Sequence, residues 1–301
     1  LTSVETVERD PVVTNFAAPP NDAQWADLWG MDESPTNQGI GVLDAWDTTK
    51  GAPSLVVAVI DSGIAKHPDL KTVLPGWDFV DDDAVTTEDD ASCGASPATF
   101  HGTHVAGTIA AAAGNRVGVA GVAPAVRILP VRVNDHCGSG AGSDLISGIL
   151  WAAGEEVSNA PLNPYPAKVI NLSLGSAGTC PLGYQNAIDT MVAKGVIVVA
   201  ATGNAASAVA APANCDGVIA VSAGQPDGSL AGFSNKGPEA TITAPGTSVL
   251  STYRNTAGTW APKKYGTGYS TLNGTSMATP HAAGVVALLA SGLAERGEKQ
   301  I

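Results

Sequence analysis

The chain has 301 residues, 44% of them hydrophobic and only 14% charged, which suits one large core and excludes a chain disordered throughout. Fifteen Lys and Arg stand against 28 Asp and Glu, a net charge of −13, which argues against nucleic acid or an anionic membrane surface as the main partner. Aromatic residues are 5% of the chain, so the core is expected to pack small side chains tightly.

Residues 1–20 are polar and carry prolines without clear periodicity, and they read as an appendage. Trp25, Leu28, Trp29 and Trp46 follow, with a short helix expected near Gly41–Thr49. SLVVAVID (54–61) is a continuous apolar run that ends in Asp, the pattern of a strand buried on both faces of a parallel sheet. HGTHVAGTIAAAAG (101–114) reads as a helix ended by Gly114. VRILPVRV (126–133) reads as a strand, and SDLISGILWAAGEEV (143–157) as a helix capped by Ser143. AKVINLSLG (167–175), VIVVAATGN (196–204) and GVIAVSA (217–223) are further strands, with a helix over GYQNAIDTMVAKG (183–195). TSMATPHAAGVVALLASGLAERG (275–297) is a long apolar helix interrupted early by Pro280. Strands alternating with helices predict an α/β fold: a mostly parallel central sheet with helices on both faces, in one domain.

No uninterrupted apolar run reaches the roughly 18 residues of a membrane helix. A chain that begins at Leu1 and shows no leader reads as a processed or truncated segment. Cys93, Cys137, Cys180 and Cys215 form no CxxC pair, so a cysteine-rich zinc site is not expected. An even count suits two disulfides after export, with four buried thiols as the alternative.

Three segments carry candidate chemistry. In VIDSGI (59–64), Asp61 sits where open α/β sheets place their sites, at the carboxyl end of a strand; it also reads as a simple turn or cap residue. In HGTHVAG (101–107), His101 and His104 are either metal ligands or one working histidine beside a packed one. In NGTSMATPHAAG (273–284), Ser276 is either a helix cap or a nucleophile at a helix N-terminus that favours developing negative charge.

Taken together, VIDSGI, HGTHVAG and GTSMATPHAAG resemble the three catalytic signatures of the subtilisin-like serine proteases, in the Asp, His, Ser order of subtilisin itself. The resemblance runs from about Pro20 to Glu295. It implies a serine endopeptidase that acts on proteins or peptides, with Ser276 as nucleophile, His101 as general base and Asp61 orienting the imidazole. His104 becomes a buried structural histidine. Asn204, at the end of AATGN, takes the place of the oxyanion-hole amide, with Ala201 and Gly203 beside it in the substrate site. Ser173, Leu174 and Gly175 are implied as one edge of the substrate site and Gly138, Ser139 and Gly140 as the other. Ala210 falls at the floor of the first specificity pocket, and neither it nor Ala205 is acidic, so an apolar side chain is expected there.

Calcium is the expected cofactor. PND (20–22), HPDL (67–70) and AAGNRVGV (112–119) resemble the strong calcium site of the family. Asp22 and Asp69 would supply carboxylates, Asn115 an amide oxygen, and Ala112, Val117 and Val119 backbone carbonyls. The acidic stretch GWDFVDDDAVTTEDD (76–90) is either a solvated loop or a second calcium loop through Asp78, Asp81, Asp83 and Thr87, similar to one in thermitase-like members. Like charges this close repel unless something neutralises them. Disulfides of secreted Gram-negative members imply the pairs Cys93–Cys137 and Cys180–Cys215.

The segment SVETVERDPVVTNFAAPP (3–20) precedes the usual start of the family's mature chains, and VETVERD resembles the last strand of an inhibitory propeptide. Residues 1–19 are therefore expected to be an extension or propeptide remnant, and 20–301 the catalytic domain, with a further domain removed beyond Ile301 as a possibility. The expected protein is secreted, made as a zymogen and monomeric. Two rival readings are a non-catalytic calcium-dependent binding module and a zinc hydrolase using His101, His104 and Asp61.

Overall fold

The computed structural model describes residues 18–32, 34, 36–88, 99–253 and 268–295. Its centre is a seven-stranded, all-parallel sheet built from β1 (Val56–Asp61), β2 (Trp77–Asp78), β3 (Arg127–Arg132), β4 (Val169–Leu172), β5 (Ile197–Ala201), β6 (Val218–Gly224) and β7 (Ile242–Pro245), in spatial order β2-β3-β1-β4-β5-β6-β7. Val57 of β1 lies opposite Ile128 on one side and Val169 on the other. The helices are α1 (Val42–Trp46), α2 (His101–Ala110), α3 (Gly142–Ala152), α4 (Leu182–Ala193) and α5 (Thr275–Glu295). A separate antiparallel pair, β8 (Val249–Thr252) and β9 (Tyr269–Leu272), packs on α2.

The alternation along β1 shows why its run is continuous in apolar residues. Val57 and Val59 enter the core shared with Val105 and Ile109 of α2 and Ala283 of α5. Val56, Ala58 and Ile60 enter the opposite core, with Leu145 and Ile149 of α3 and Met191 of α4. Successive side chains point to opposite faces, and both faces are covered by helices. All six residues of β1 are buried.

Three expectations need correction. Ser143 does not cap α3: the cap is Ala141, and Ser143 lies inside the first turn with its hydroxyl 3.3 Å from Asp144 Oδ1. Gly114 does not end α2: the helix stops at Ala110, because Ala111 turns to ψ 139° and Ala112 N–H donates to the Asp69 carbonyl at 2.9 Å. Thr275–Leu293 is long and apolar enough, by length and composition, to cross a membrane. Yet 72% of that window is buried inside the protein, as expected for a core helix.

Pro280 shapes the start of α5. It has no N–H to give the carbonyl four residues earlier, that of Ser276. Ser173 Oγ takes up that carbonyl at 2.8 Å, and Ser276 Oγ donates back to the Ser173 carbonyl at 2.8 Å. The reciprocal pair locks the end of β4 to the start of α5.

Cys180 and Cys215 are joined as expected, with Cα atoms 5.1 Å apart and a sequence separation of 35. Cys137 is also disulfide-bonded, whereas Cys93 lies outside the described residues. The Cys180–Cys215 bridge ties the start of α4 to the turn before β6. In the chain-entropy model, closing such a loop stabilises by about 3–4 kcal/mol. Replacing both cysteines by serine is expected to lower unfolding free energy by that order, read as a lower urea midpoint, with a steeper slope because the uncross-linked unfolded chain exposes more surface.

Candidate active site

Parallel strands end together, so residues far apart in the chain meet at one rim. Asp61 is the last residue of β1, His101 the first of α2 and Ser276 the second of α5. All three line one cleft of about 940 Å³. Asp61 is 1% exposed, so its charge must be met by donors. His101 Nδ1 reaches both carboxylate oxygens, at 2.8 and 3.0 Å. Ser62 N–H donates to Oδ1 at 2.8 Å, and Ser62 Oγ stands 3.0 Å from the same oxygen. Burial opposes a charged imidazole at His101, but the Asp61 charge and hydrogen bond outweigh it and raise its pKa above 6.5.

Asn204 sits just beyond β5. Its Oδ1 accepts from Thr275 N–H at 2.8 Å and from Thr275 Oγ at 3.0 Å. An oxygen must face that N–H, so the side chain presents its NH₂ to the cleft. Gly203 N–H donates to Thr275 Oγ, tying the same loop to α5. Gly203 holds φ at 106°, and a Cβ there would lie 2.4 Å from Asn235 Nδ2. Only glycine suits that backbone. Asn235 in turn accepts from Ala205 N–H and Ser207 N–H and donates to the Thr202 carbonyl. Nothing in the sequence singled out Asn235; SNKGP reads as an ordinary turn.

The remaining substrate-site expectations meet at the same cleft. Ser173, Leu174 and Gly175 line one side, and Gly138, Ser139 and Gly140 the other. The Gly138–Gly140 turn hangs on Asp135 Oδ1, which accepts from Cys137 and Ser139 N–H at 2.9 and 3.0 Å. Ala201, Gly203 and Ala210 line the cleft too, with Ala208 and Val209; Ala201, Val209 and Ala210 are buried and Ala208 is exposed. Glu239 joins the lining and is the one acidic side chain there besides Asp61; sequence reading missed it because 29 residues separate it from Ala210.

His104 lies apart from this chemistry. Its Nε2 donates to the carbonyls of Val249 and Ser270, at 3.0 and 3.2 Å. Burial, with the neighbouring His101, pushes its pKa down to about 3, so it stays neutral. His101 and His104 thus face different partners. Among the described residues no three His, Cys, Asp or Glu side chains gather as a metal cluster, which removes the support for a zinc centre on those two histidines and Asp61.

Asp22 and Asp69 are buried beside the loop 112–119. Asp22 accepts from Gly114 and Asn115 N–H, at 2.7 and 3.2 Å. Asp69 accepts from Val119 N–H at 3.0 Å and from Tyr269 OH at 3.2 Å. Burial raises the Asp69 pKa against its hydrogen bonds, and the Asp22 charge adds to the rise. Two buried carboxylates that repel, beside a loop that can offer an amide oxygen and backbone carbonyls, fit a hard cation. Asn115 turns its Nδ2 to Asp69 Oδ1 at 2.6 Å and its Oδ1 to Val117 N–H, so its amide must rotate before it can ligate.

The acidic loop is different. Arg132 Nη1 pairs with Asp78 and, at 2.7 Å, with Asp81. Asp83 Oδ1 accepts from Val85 N–H at 2.7 Å, and Thr87 lines the same hollow. A guanidinium from β3 occupies Asp78 and Asp81, two of the four expected ligands, and Asp83 is turned to its own backbone, so this donor set as arranged does not fit a second calcium.

Behind Asp61 lies a residue the sequence reading passed over. Glu88 is 5% exposed; its Oε1 is 2.5 Å from Ser62 Oγ, and its Oε2 accepts from Thr103 N–H at 3.2 Å and Thr103 Oγ at 2.5 Å. Burial pushes its carboxyl up to about 7 against those hydrogen bonds, and the Asp61 charge adds to the rise. It was hidden inside an acidic run that reads as solvated loop.

The family model described as "Subtilase family" matches residues 53–300. An extracellular protease of Xanthomonas campestris pv. campestris is 43% identical over 96% of this chain, and thermitase of Thermoactinomyces vulgaris is 39% identical over 84% of this chain and 81% of its own length. A solved protease of Pseudoalteromonas arctica PAMC 21717 superposes with a TM-score of 0.81 at 39% identity, covering 90% of this chain and 87% of that one. The chain spans about half the length of two curated relatives it matches, 52% of the Xanthomonas protease and 51% of an extracellular basic protease of Dichelobacter nodosus. With that match, and with Asp61, His101 and Ser276 on one rim, the chain belongs to the subtilase family of serine proteases.

Proposed function

We propose that the chain is the catalytic domain of a secreted serine endopeptidase that cleaves proteins through an acyl-enzyme. The observation that carries this reading is the assembled half of the machinery: a buried Asp61 carboxylate gripping His101 Nδ1, with Ser276 and the Asn204 amide facing the same cleft. Ser276 Oγ attacks the scissile carbonyl and its proton passes to His101 Nε2. Asp61 stabilises the imidazolium, which then returns the proton to the leaving amine. A turn about the Ser276 Cα–Cβ bond takes its hydroxyl from the Ser173 carbonyl toward His101, since such contacts tighten only with substrate bound. The oxyanion is met by Asn204 Nδ2 and by Ser276 N–H, one of the first-turn amides that a helix leaves unpaired.

Substrate backbone is proposed to add as a strand between Leu174–Gly175 and Ser139–Gly140. The small, apolar Ala201, Val209 and Ala210 favour an apolar side chain at the cleavage position. The domain is proposed to act on protein substrates as a monomer. The relatives named extracellular proteases support secretion, which the disulfide suits. Residues 1–19 are proposed as a remnant of an inhibitory propeptide and 20–301 as the catalytic domain; residues 1–17 lie outside those described.

A fluorophosphonate read by intact mass tests the nucleophile. One adduct is expected on wild type and none on Ser276→Ala; an unlabelled, folded wild type would sink the protease reading and favour a binding module. The same spectra are expected to show residues 1–19 retained only in Ser276→Ala. Asn204→Ala should lower kcat by about 10²–10³, the range established for such an amide in subtilisin, a member of the same family.

Only neutral His101 accepts the serine proton, and its raised pKa keeps the cation to higher pH. Activity should therefore be full on the alkaline side and fall as pH drops through a value above 6.5. A kcat/KM profile with its acid limb centred below 6.5 would contradict this.

Calcium is proposed as a stabilising ion held by Asp22 and Asp69, with Asn115 after rotation and the carbonyls of Ala112, Val117 and Val119. An ion that binds only the folded state at 100 times its Kd stabilises by about 2.7 kcal/mol. EDTA should lower Tm, calcium should restore it, and Asp69→Ala should lose the restoration. An equal response in Asp69→Ala would place the ion elsewhere.

A further inference from the structure

Helix α2 begins in an unusual way. Its cap, Phe100, sits in the left-handed region at φ 46° and has no side-chain acceptor for the amides of the first turn. Two side chains from outside the helix take those amides. Ser62 Oγ accepts from Gly102 N–H at 3.1 Å, and Glu88 Oε2 accepts from Thr103 N–H at 3.2 Å. His101 is the first residue of that helix.

The same two residues reach Asp61. Ser62 Oγ lies 3.0 Å from Asp61 Oδ1 and 2.5 Å from Glu88 Oε1. A hydroxyl has one proton, and here it stands between two carboxyl oxygens. If Ser62 Oγ–H donates to Asp61, the short contact with Glu88 is a hydrogen bond only when Glu88 is the donor. The chain then runs from Glu88 to Ser62, from Ser62 to Asp61, and His101 Nδ1–H meets Asp61 from the other side. Glu88 Oε2 remains for the Thr103 N–H and hydroxyl. Every donor in this chain of contacts then has an acceptor, as a buried polar network requires.

We propose that Glu88 is a positioning residue for the reaction: through Ser62 it holds Asp61, and through Thr103 N–H it holds the start of α2, so that Asp61 and His101 keep one geometry. This rests on the serine-protease reading above. Glu88 touches neither substrate nor Ser276; it acts through the residues that do.

The test compares Glu88→Ala with Glu88→Gln, with kcat counted per fluorophosphonate-reactive site. Glutamine reproduces the pattern: its NH₂ donates to Ser62 Oγ and its oxygen accepts from Thr103. Glu88→Ala should lower kcat tenfold or more with KM within threefold of wild type, because the cleft walls do not involve Glu88. Glu88→Gln should retain at least a third of wild-type kcat. The inference is overturned if Glu88→Ala keeps wild-type kcat, if KM rises in step with the loss, or if Glu88→Gln loses as much as Glu88→Ala. Should Glu88→Ala not fold, Glu88→Gln decides alone: kcat above a third supports the positioning role, and a tenfold loss overturns it. A wild type that neither labels nor turns over would fail the protease reading first, and this inference with it; an active wild type matched by Glu88→Ala would fail only this one.

Discussion

The interaction on which the site depends is the one between a buried carboxylate and the donors that surround it. Asp61 is 1% exposed at the end of a strand with apolar cores on both faces. A lone carboxylate there would cost several kcal/mol. It is tolerated because Ser62 N–H, Ser62 Oγ and His101 Nδ1 converge on it. That requirement fixes much else. His101 has to open α2 at that rim, so the backbone of α2 has to approach the turn after β1. Gly102 permits the approach, since a Cβ there would lie 2.2 Å from the Gly63 carbonyl oxygen.

The opposite side of the cleft follows from a second local constraint. Pro280 removes one hydrogen bond from α5 and leaves the Ser276 carbonyl to be met from elsewhere. Ser173 answers it, and in doing so brings the end of β4 against the residue proposed as nucleophile. Thr275, one residue earlier, is held by Asn204 at the end of β5. Two strand ends are thus bolted to one helix start. Such links matter because a displacement of about 1 Å is enough to spoil a reacting geometry.

Much of this was legible in the sequence, for a physical reason. A strand buried on both faces is apolar at most positions, so β1, β3, β4, β5 and β6 stand out as largely apolar runs, broken by a buried Asn171 in β4 and Ser222 in β6. Asp61, His101 and Ser276 are legible because each opens or closes such an element within a recognisable signature. The illegible parts are those set by long-range partners. β8 and β9 are four residues each, five of the eight hydroxyl-bearing, and they exist because they pair with each other and cover α2. Arg132 ends an apolar strand, and nothing local says that it faces Asp78 and Asp81, which lie more than 50 residues earlier. Ser143 carries a capping side chain yet sits one place inside the helix, because Ala141 is the residue with extended backbone. Glu88 is hidden for the same reason as Arg132: composition gives its charge, and only the fold gives its burial.

The histidines show how far partners outweigh residue type. His67 donates from Nε2 to the Gly268 carbonyl, His281 from Nδ1 to the Met277 carbonyl, and His104 to those of Val249 and Ser270. Burial pushes the three down to about 4, 4 and 3, since a carbonyl dipole does not offset the loss of water around a cation. His101 also loses hydration, yet it moves the other way because its partner carries a full charge. A neutral imidazole at His104 is a structural strut that joins α2 to β8 and β9. An imidazole with its pKa raised by Asp61 can take and return a proton. The two lie three residues apart in one signature, and the difference between strut and base lies wholly in what each ring nitrogen faces.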